Sequence, residues 1–573
     1  MSTSSRENLC ARTTAFALMS ILAAAALLRL PGYLYPLPLH YDEMAEIVSA
    51  TYLPPAGTRA HPYLNRYLLL ALEGSYYVFG RILGWFPSEA AFKLAMHYKP
   101  ASFLIIGRTL AVLAGLGTIL ATFELGRRLH SRLVGLVAAA LLAIAPAHIV
   151  ISINLRPWAL ATAFATLTLL LLVLYSERRR ARDLVAAAMA GGMAAASVYT
   201  MFLLALPGGY VVLRTWGREP RERRWLWFRT HFVPAVAAGV SLFVLADIQA
   251  IVGWKRVVEA ITHPTASMLS DGPFDVGYIG NAWLYLRSPF EPAGTGALIA
   301  VLASVGLAAW AIQRHPHGIP LLLFVVGVFV IQPLAVVLVA NRYTVPAYPA
   351  LTVAAAYALL HIAERFAPAF GVSARLGIAL VGAFVAALPA SWQDQALIRS
   401  LLRVPTRELA RNWIENNVPE GTRLALGIRF MSPILIDCSD VGEMPAWVRG
   451  RSPCYDIVHS RRGESVFEAA LSAGARLAVH TRTTPEAIAR RFALKDAIDD
   501  VPQTDFQLLE IFSYGEESPE DTATPNPPVY IFRRMKNGPV ARSQPCPRLP
   551  CGPERSSVAG NGHEVIAWSP PRT

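Results

Sequence analysis

Apolar runs long enough to cross a bilayer recur through the first two thirds of the chain, and they leave few folds open. Hydrocarbon offers no partner to an open N–H or C=O, so about 20 apolar residues in a row are stable there only as a helix. Such segments lie at about residues 13–30, 106–125, 133–151, 158–175, 184–199, 201–213, 232–251, 295–312, 319–340, 344–362 and 376–390. The expected fold class is a polytopic α-helical membrane protein with about eleven transmembrane helices. Composition agrees: only 16% of the 573 residues are charged and 54% are hydrophobic, where a soluble domain carries about 25% charged residues.

A formal charge of +13 raises the question of nucleic acid. The arginines answer it by position. Arg127, Arg128, Arg132, Arg178 to Arg180, Arg182, the arginines from Arg218 to Arg229 and Arg314 all fall between alternate apolar runs, on one side of the membrane. That is the bias of cytoplasmic loops. No basic stretch carries interleaved aromatics suited to stacking bases, so nucleic acid is not an expected partner. Arg6 and Arg12 precede the first run and place the N-terminus in the cytoplasm, with a retained first span rather than a cleaved signal peptide.

The loop after the first span, residues 31–66, then lies outside. Asp42 and Glu43 stand adjacent at its centre, flanked by His40 and Tyr41. A carboxylate pair beside hydrocarbon is costly and calls for a reason. One reason is chemistry; the other is a helix start with Asp42 as N-cap and Glu43 in the first turn. The segment from about Pro62 to Phe86 is aromatic and interrupted by Arg66, Glu73 and Arg81, which suits helices lying in the interface. Within it Glu73 is expected to pair with Arg66 or Arg81, and farther on Glu124 with Arg127 or Arg128. Asp247 and Gln249, near the end of the seventh run, are weak candidates for lining a cavity.

A long aromatic loop, residues 253–294, interrupts the later runs, and loops of that length inside a compact membrane domain usually carry function. The expected domains are a membrane module at 1–391, an external α/β domain at 392–536, and a disordered tail at 537–573 rich in Pro, Ser, Gly and Arg. In the α/β domain TRELARNWIENNV, ESVFEAALSAGA and PEAIARRFAL read as helices, and TRLALGI, RLAVHT, FQLLEIF and VYIFRR as strands. None of these strands is followed by a Gly-rich phosphate loop. The five cysteines, Cys10, Cys438, Cys454, Cys546 and Cys551, have no zinc spacing. Cys438 and Cys454 fall in the external domain, where a disulfide is chemically allowed and the sequence leaves it open.

Tracing the chain through these spans brings Asp42, Glu43, Arg108, Asn154, Arg156, Lys255, Arg256, His263, Arg342 and Tyr343 to the outer leaflet, with His40 and Tyr41. Carboxylates there can act as a base or hold a divalent metal, and guanidinium forks suit phosphate oxygens. The combination suits a phosphorylated lipid. Taken singly, Arg108 and Arg156 also read as snorkelling cations, and His40 and His263 as ordinary loop polars.

Four stretches carry a family resemblance. They are HYDEMAEI in the first loop, PYLNRYLLLALEGSYYVFG after it, the core from Gly107 to Ala165 with its Arg156-Pro157-Trp158 step, and NRYTVPAYPALTVAAAYAL. Together they resemble the GT-C glycosyltransferases, in the branch of the protein O-mannosyltransferases and bacterial aminoarabinose transferases, over about Leu30 to Ile362. The resemblance implies a membrane enzyme that moves a sugar from a polyprenyl-phosphate carrier to a hydroxyl of a protein, lipid or glycan acceptor, and the Ala/Arg-rich composition suggests a bacterial inner membrane. It implies Asp42 as acid/base, Glu43 supporting it, Arg342 near the lipid phosphate and Arg156 as a structural or phosphate-facing partner. Lys255 or Arg256 would join the phosphate from the long loop. Relatives often carry Asp or Glu where this chain has Asn154, a position at which some bind a metal ion, so the resemblance leaves a divalent metal open and assigns no cofactor. Two rival classes are a transporter or flippase of lipid-linked precursors, and a scaffold that presents the α/β domain.

Overall fold

The structure is a computed structural model describing residues 3–51, 62–248, 252, 255, 277–291, 294–335, 341–366, 372–427, 431–460, 465–481, 505–514 and 526–535. They form two compact units. One holds Met1–Phe79 and Ala101–Leu402; the other holds Gly80–Pro100, Arg403–Glu520 and the residues from Thr524 on.

Where the structure describes them, the expected apolar runs are helical in the first unit. The helices begin with α1 (Thr3–Leu34), α2 (Tyr41–Ala50) and α3 (Leu64–Ile82). After α4 (Glu89–Tyr98), which belongs to the other unit, come α5 (Ala101–Leu129), α6 (Arg132–Ala143), α7 (Pro146–Ile153), α8 (Trp158–Arg178), α9 (Ala181–Ser197) and α10 (Ala205–Arg218). Among the described residues five helical stretches are long and apolar enough to cross a membrane: Arg12–Leu34, Ala101–Leu129, Trp158–Arg178, Arg221–Ala246 and Arg342–Arg365. A sixth is α6 with α7, bent by 65° at a break. The break precedes Pro146, which lacks the N–H to continue α6 but suits the first position of a new helix.

The helix ends follow local chemistry. The Ser131 side chain caps α6 by accepting from the Val134 N–H at 3.3 Å. α5 ends in Arg127 and Arg128, and both pair with Glu124 at 2.6 Å, as one-turn spacing predicts. α5 and α6 approach so closely that a Cβ on Gly126 would lie 2.9 Å from the Gly135 Cα, so only glycine fits there. The Tyr348–Phe366 helix is buried along most of its length in the apolar core, which also holds Trp158, Trp310 and Phe324.

The second unit is an α/β domain. Its six strands are β1 (Arg423–Leu426), β2 (Ile436–Asp437), β3 (Cys454–His459), β4 (Leu477–Thr481), β5 (Phe506–Phe512) and β6 (Val529–Arg534), in the order β2-β3-β1-β4-β6-β5. The first four pair in parallel; β6 and β5 are antiparallel. The four expected strands are β1, β4, β5 and β6, and the helices Thr406–Asn417 and Val466–Ala473 match two of the three expected ones. The third, PEAIARRFAL, lies outside the described residues. β2 and β3 were not expected. A disulfide joins Cys438 to Cys454 beside them. α4 packs on this domain: the Tyr98 hydroxyl donates to Asp440 at 2.7 Å, and Phe86 lies against Trp447.

Candidate functional site

The first loop is held by a saturated ion pair. Glu43 and Arg108 have no solvent-exposed side-chain surface. Arg108 Nε and Nη2 donate to the two Glu43 oxygens at 3.0 and 2.9 Å. Its remaining donors reach the carbonyls of Gly32 (3.1 Å), Tyr35 (2.5 Å) and Leu37 (2.9 Å). All five guanidinium N–H groups are therefore used. The Leu39 and Leu155 backbone N–H groups complete the shell of Glu43 at 2.5 and 2.9 Å. Arg108 thus does not snorkel to the interface as one sequence reading had it; it is pulled inward by three carbonyls and a carboxylate. Leu155 reaches Glu43 because Gly107 leaves it room: a Cβ at that position would collide with the Leu155 side chain.

One helical turn on, Glu46 makes a second clamp. It accepts from Asn65 Nδ2 at 3.1 Å and Arg66 Nη2 at 3.0 Å, tying α2 to the start of α3. The sequence reading passed over Glu46, although its spacing of three from Glu43 on a helix was the available signal. Arg66 is thereby taken from Glu73, and Arg81 donates instead to the carbonyls of Phe86 and Pro87. Glu73 is 2% exposed, and neither carboxyl oxygen has a hydrogen-bond partner. Burial raises its carboxyl to about 9.

Just before the first clamp sit Tyr41 and Asp42, the first two residues of α2. The helix therefore starts one residue before Asp42 rather than at it. His40, just before the helix, lies within electrostatic reach of two distant parts of the chain. Burial first, then the positive guanidinium groups of Arg156 and Arg342, push its imidazole down to about 2. The structure thus gathers the first loop, the Arg156-Pro157 corner and the 341–344 turn in one place. The corner and the turn are locked by rings: Tyr343 meets Trp158 edge-on with centroids 4.7 Å apart, and the Arg342 guanidinium lies 5.2 Å from the Tyr343 ring. Gln332 Nε2 donates to the Tyr343 carbonyl at 3.4 Å.

Asn154 caps the end of α7, buried, and its side-chain oxygen has no hydrogen-bond partner. Among the described residues no three His, Cys, Asp or Glu side chains come together to hold an ion. Lys255 is exposed, while Arg256, His263 and Gln249 lie outside the described residues. Asp247 is buried and accepts the Tyr199 hydroxyl at 2.9 Å.

Another buried polar cluster escaped the sequence reading. Arg29, on α1, donates to the carbonyls of Ala25 and Ala143 at 2.8 and 3.2 Å and contacts His148 Nδ1 at 2.8 Å. Asp394, on the Val372–Leu402 helix, lies within Coulombic reach of Arg29. A lone arginine near the end of an apolar run was the signal.

The family described as dolichyl-phosphate-mannose-protein mannosyltransferase matches residues 104–245, which include Arg108, Asn154 and Arg156. No curated protein matches the chain by sequence. Among solved structures, ArnT from Cupriavidus metallidurans bound to undecaprenyl phosphate is 14% identical, with 90% of this chain and 97% of that chain covered and a TM-score of 0.50. The apo form of ArnT gives 12% identity, the same coverage of 90% and 97%, and a TM-score of 0.48. The archaeal oligosaccharyltransferase AglB from Archaeoglobus fulgidus, in complex with an inhibitory peptide and a dolichol-phosphate, gives 15%, 91% and 74% coverage, and 0.45. The clamped first loop, the Arg-Pro corner and the late arginine are thus built on a fold that this chain shares with ArnT.

Proposed function

We propose that the chain is an integral-membrane glycosyltransferase that moves a sugar from a polyprenyl-phosphate carrier to an acceptor hydroxyl at the outer face of a bacterial plasma membrane. The reading rests on one observation above others: His40 of the first loop, Arg156 and Arg342 share one locality although they are far apart in sequence. The mannosyltransferase match over 104–245 and the ArnT fold supply the class of reaction. The N-terminus lies in the cytoplasm and the α/β domain outside, as the arginine bias requires.

In this reaction the acceptor oxygen attacks the anomeric carbon as the bond from that carbon to the lipid phosphate oxygen breaks, and the anomeric configuration inverts. Asp42 takes the hydroxyl proton. Arg342 and Arg156 stabilise the charge that builds on the departing phosphate, with Lys255 or Arg256 joining from the long loop. His40, neutral beside the two arginines, adds no positive charge of its own and can donate or accept a hydrogen bond. Glu43 does not exchange protons with substrate. It fixes the backbone on which Asp42 stands, through Arg108.

The test is transfer from a defined polyprenyl-phosphate sugar by purified protein. Asp42→Asn is expected to lower transfer by about three orders of magnitude or more with expression and melting temperature unchanged. Near-normal transfer by that variant would refute the role. Arg342→Ala is expected to act chiefly on apparent donor KM.

A further inference from the structure

The span made by α6 and α7 is bent by 65°, and a bend inside hydrocarbon frees backbone groups that water cannot satisfy. The last carbonyls of α6 are left open, and Pro146 brings no N–H to them. Arg29, on α1, meets that need. Its Nη1 donates to the carbonyl of Ala143, the last residue of α6, at 3.2 Å, and to that of Ala25 on its own helix at 2.8 Å. Its Nη2 lies 2.8 Å from Nδ1 of His148, in the first turn of α7. A guanidinium only donates, so this nitrogen accepts and the ring proton sits on Nε2. One side chain thus bridges both arms of the break. We propose that Arg29 is a positioning residue for the transfer reaction: it fixes the bend between α6 and α7 and, through α7, the place of Arg156.

The path from Arg29 to Arg156 has little slack. All eight residues of α7 are buried. Those at its end nest against glycines of two other helices. A Cβ on Gly32 of α1 would collide with the Ile153 side chain, and one on Gly115 of α5 with that of Ser152. Past α7 the Leu155 N–H is held by Glu43 at 2.9 Å, and the Arg156 N–H donates to the Asn154 carbonyl at 2.8 Å. A swivel of α7 at its first turn therefore carries Arg156 with it.

Asp394 does not draw Arg29 away from the break. It lies within Coulombic reach, yet neither of its oxygens has a hydrogen-bond partner. It balances charge at a distance while both terminal nitrogens of the guanidinium stay on the break. A lysine would not replace them, because one ammonium lacks the fork that spans two acceptors.

This role rests on the reading that Arg156 faces the carrier phosphate, and binding measurements separate the two. Full-length protein in detergent is titrated with polyprenyl phosphate as wild type, Arg29→Met, Arg156→Ala and the double variant, with melting temperatures alongside. Arg342 is present throughout, so binding stays measurable. If Arg156→Ala binds like the wild type, Arg156 does not face the phosphate, and both the reading and this role fall. Arg29→Met is expected to weaken binding about tenfold where Arg156 is present and less than about twofold where it is absent, because a residue acting through another loses its effect without it. Its cost in melting temperature is expected to be equal in the two backgrounds. Equal weakening in both, or none in the first, overturns the role of Arg29 and leaves that of Arg156 standing. If Arg29→Met does not yield folded protein, His148→Phe is read in the same way, since it removes one acceptor and keeps the Ala143 contact. About threefold weakening is expected with Arg156 present and none without it, and the same two results overturn the role.

Discussion

Glu43 and Glu73 are the same residue type, thirty positions apart in the membrane unit, and both are buried. Glu43 accepts four hydrogen bonds, two of them from a guanidinium. Glu73 accepts none. Burial alone therefore does not say what a carboxyl does. A saturated carboxylate is a structural bolt whose removal strands its partners; an unpartnered one avoids the cost of charge by keeping its proton. The first kind holds the loop that carries Asp42. The second kind titrates.

The contrast breaks most visibly at the bolt. Arg108→Ala or Glu43→Ala is expected to destabilise by about 3–5 kcal/mol, read as loss of monodisperse protein in size-exclusion chromatography. Removing both partners does not restore stability as it does for simple buried pairs. In Glu43→Leu with Arg108→Met, the N–H groups of Leu39 and Leu155 and the carbonyls of Gly32, Tyr35 and Leu37 all lose a partner. Recovery of the melting temperature in the double variant would show that the backbone contacts carry little of the effect.

Glu73 gives a smaller effect of a different form. Its folded carboxyl titrates near 9 against an ordinary 4.5, so the folded state holds a proton that the unfolded state releases. Stability from this group is complete below pH 4.5 and lost as pH rises through 9. Glu73→Gln is expected to flatten the alkaline decline in melting temperature, a difference of several degrees at pH 8 and none at pH 4. His40 supplies the mirror image. Its imidazole is held near 2 against an ordinary 6.5, so its contribution is complete above pH 6.5 and is lost as pH falls toward 2. His40→Gln is expected to flatten the acid side alone. A parallel shift at all pH values in either variant would point to packing instead of titration.

What was legible in the sequence was local or periodic. Apolar length gave the helices, and the pairing of Glu124 with Arg127 and Arg128 followed from one-turn spacing. The alternation of helix and strand gave the α/β domain. β2 has only two residues, and the polar, cysteine-led β3 lacks the alternation that marks a half-buried strand, so both were missed. Long-range partners were not legible. Arg108 lies 65 residues from Glu43, and nothing in a helix-start arginine distinguishes one that snorkels from one drawn inward. Arg66 sits seven residues before Glu73, two turns along the same face, yet Glu46 takes it first. The gathering of His40, Arg156 and Arg342 depends on the packing of helices that the sequence orders but does not orient.

α4 has a timing consequence. Tyr98 and its partner Asp440 are 342 residues apart, and every helix from α5 to the Val372–Leu402 helix is made between them. A ribosome finishes α4 long before its partners Asp437 and Asp440 exist. Phe86 and Phe92 must wait for the Trp447 region through the insertion of most of the membrane unit, which makes this surface one where a chaperone would find work during synthesis.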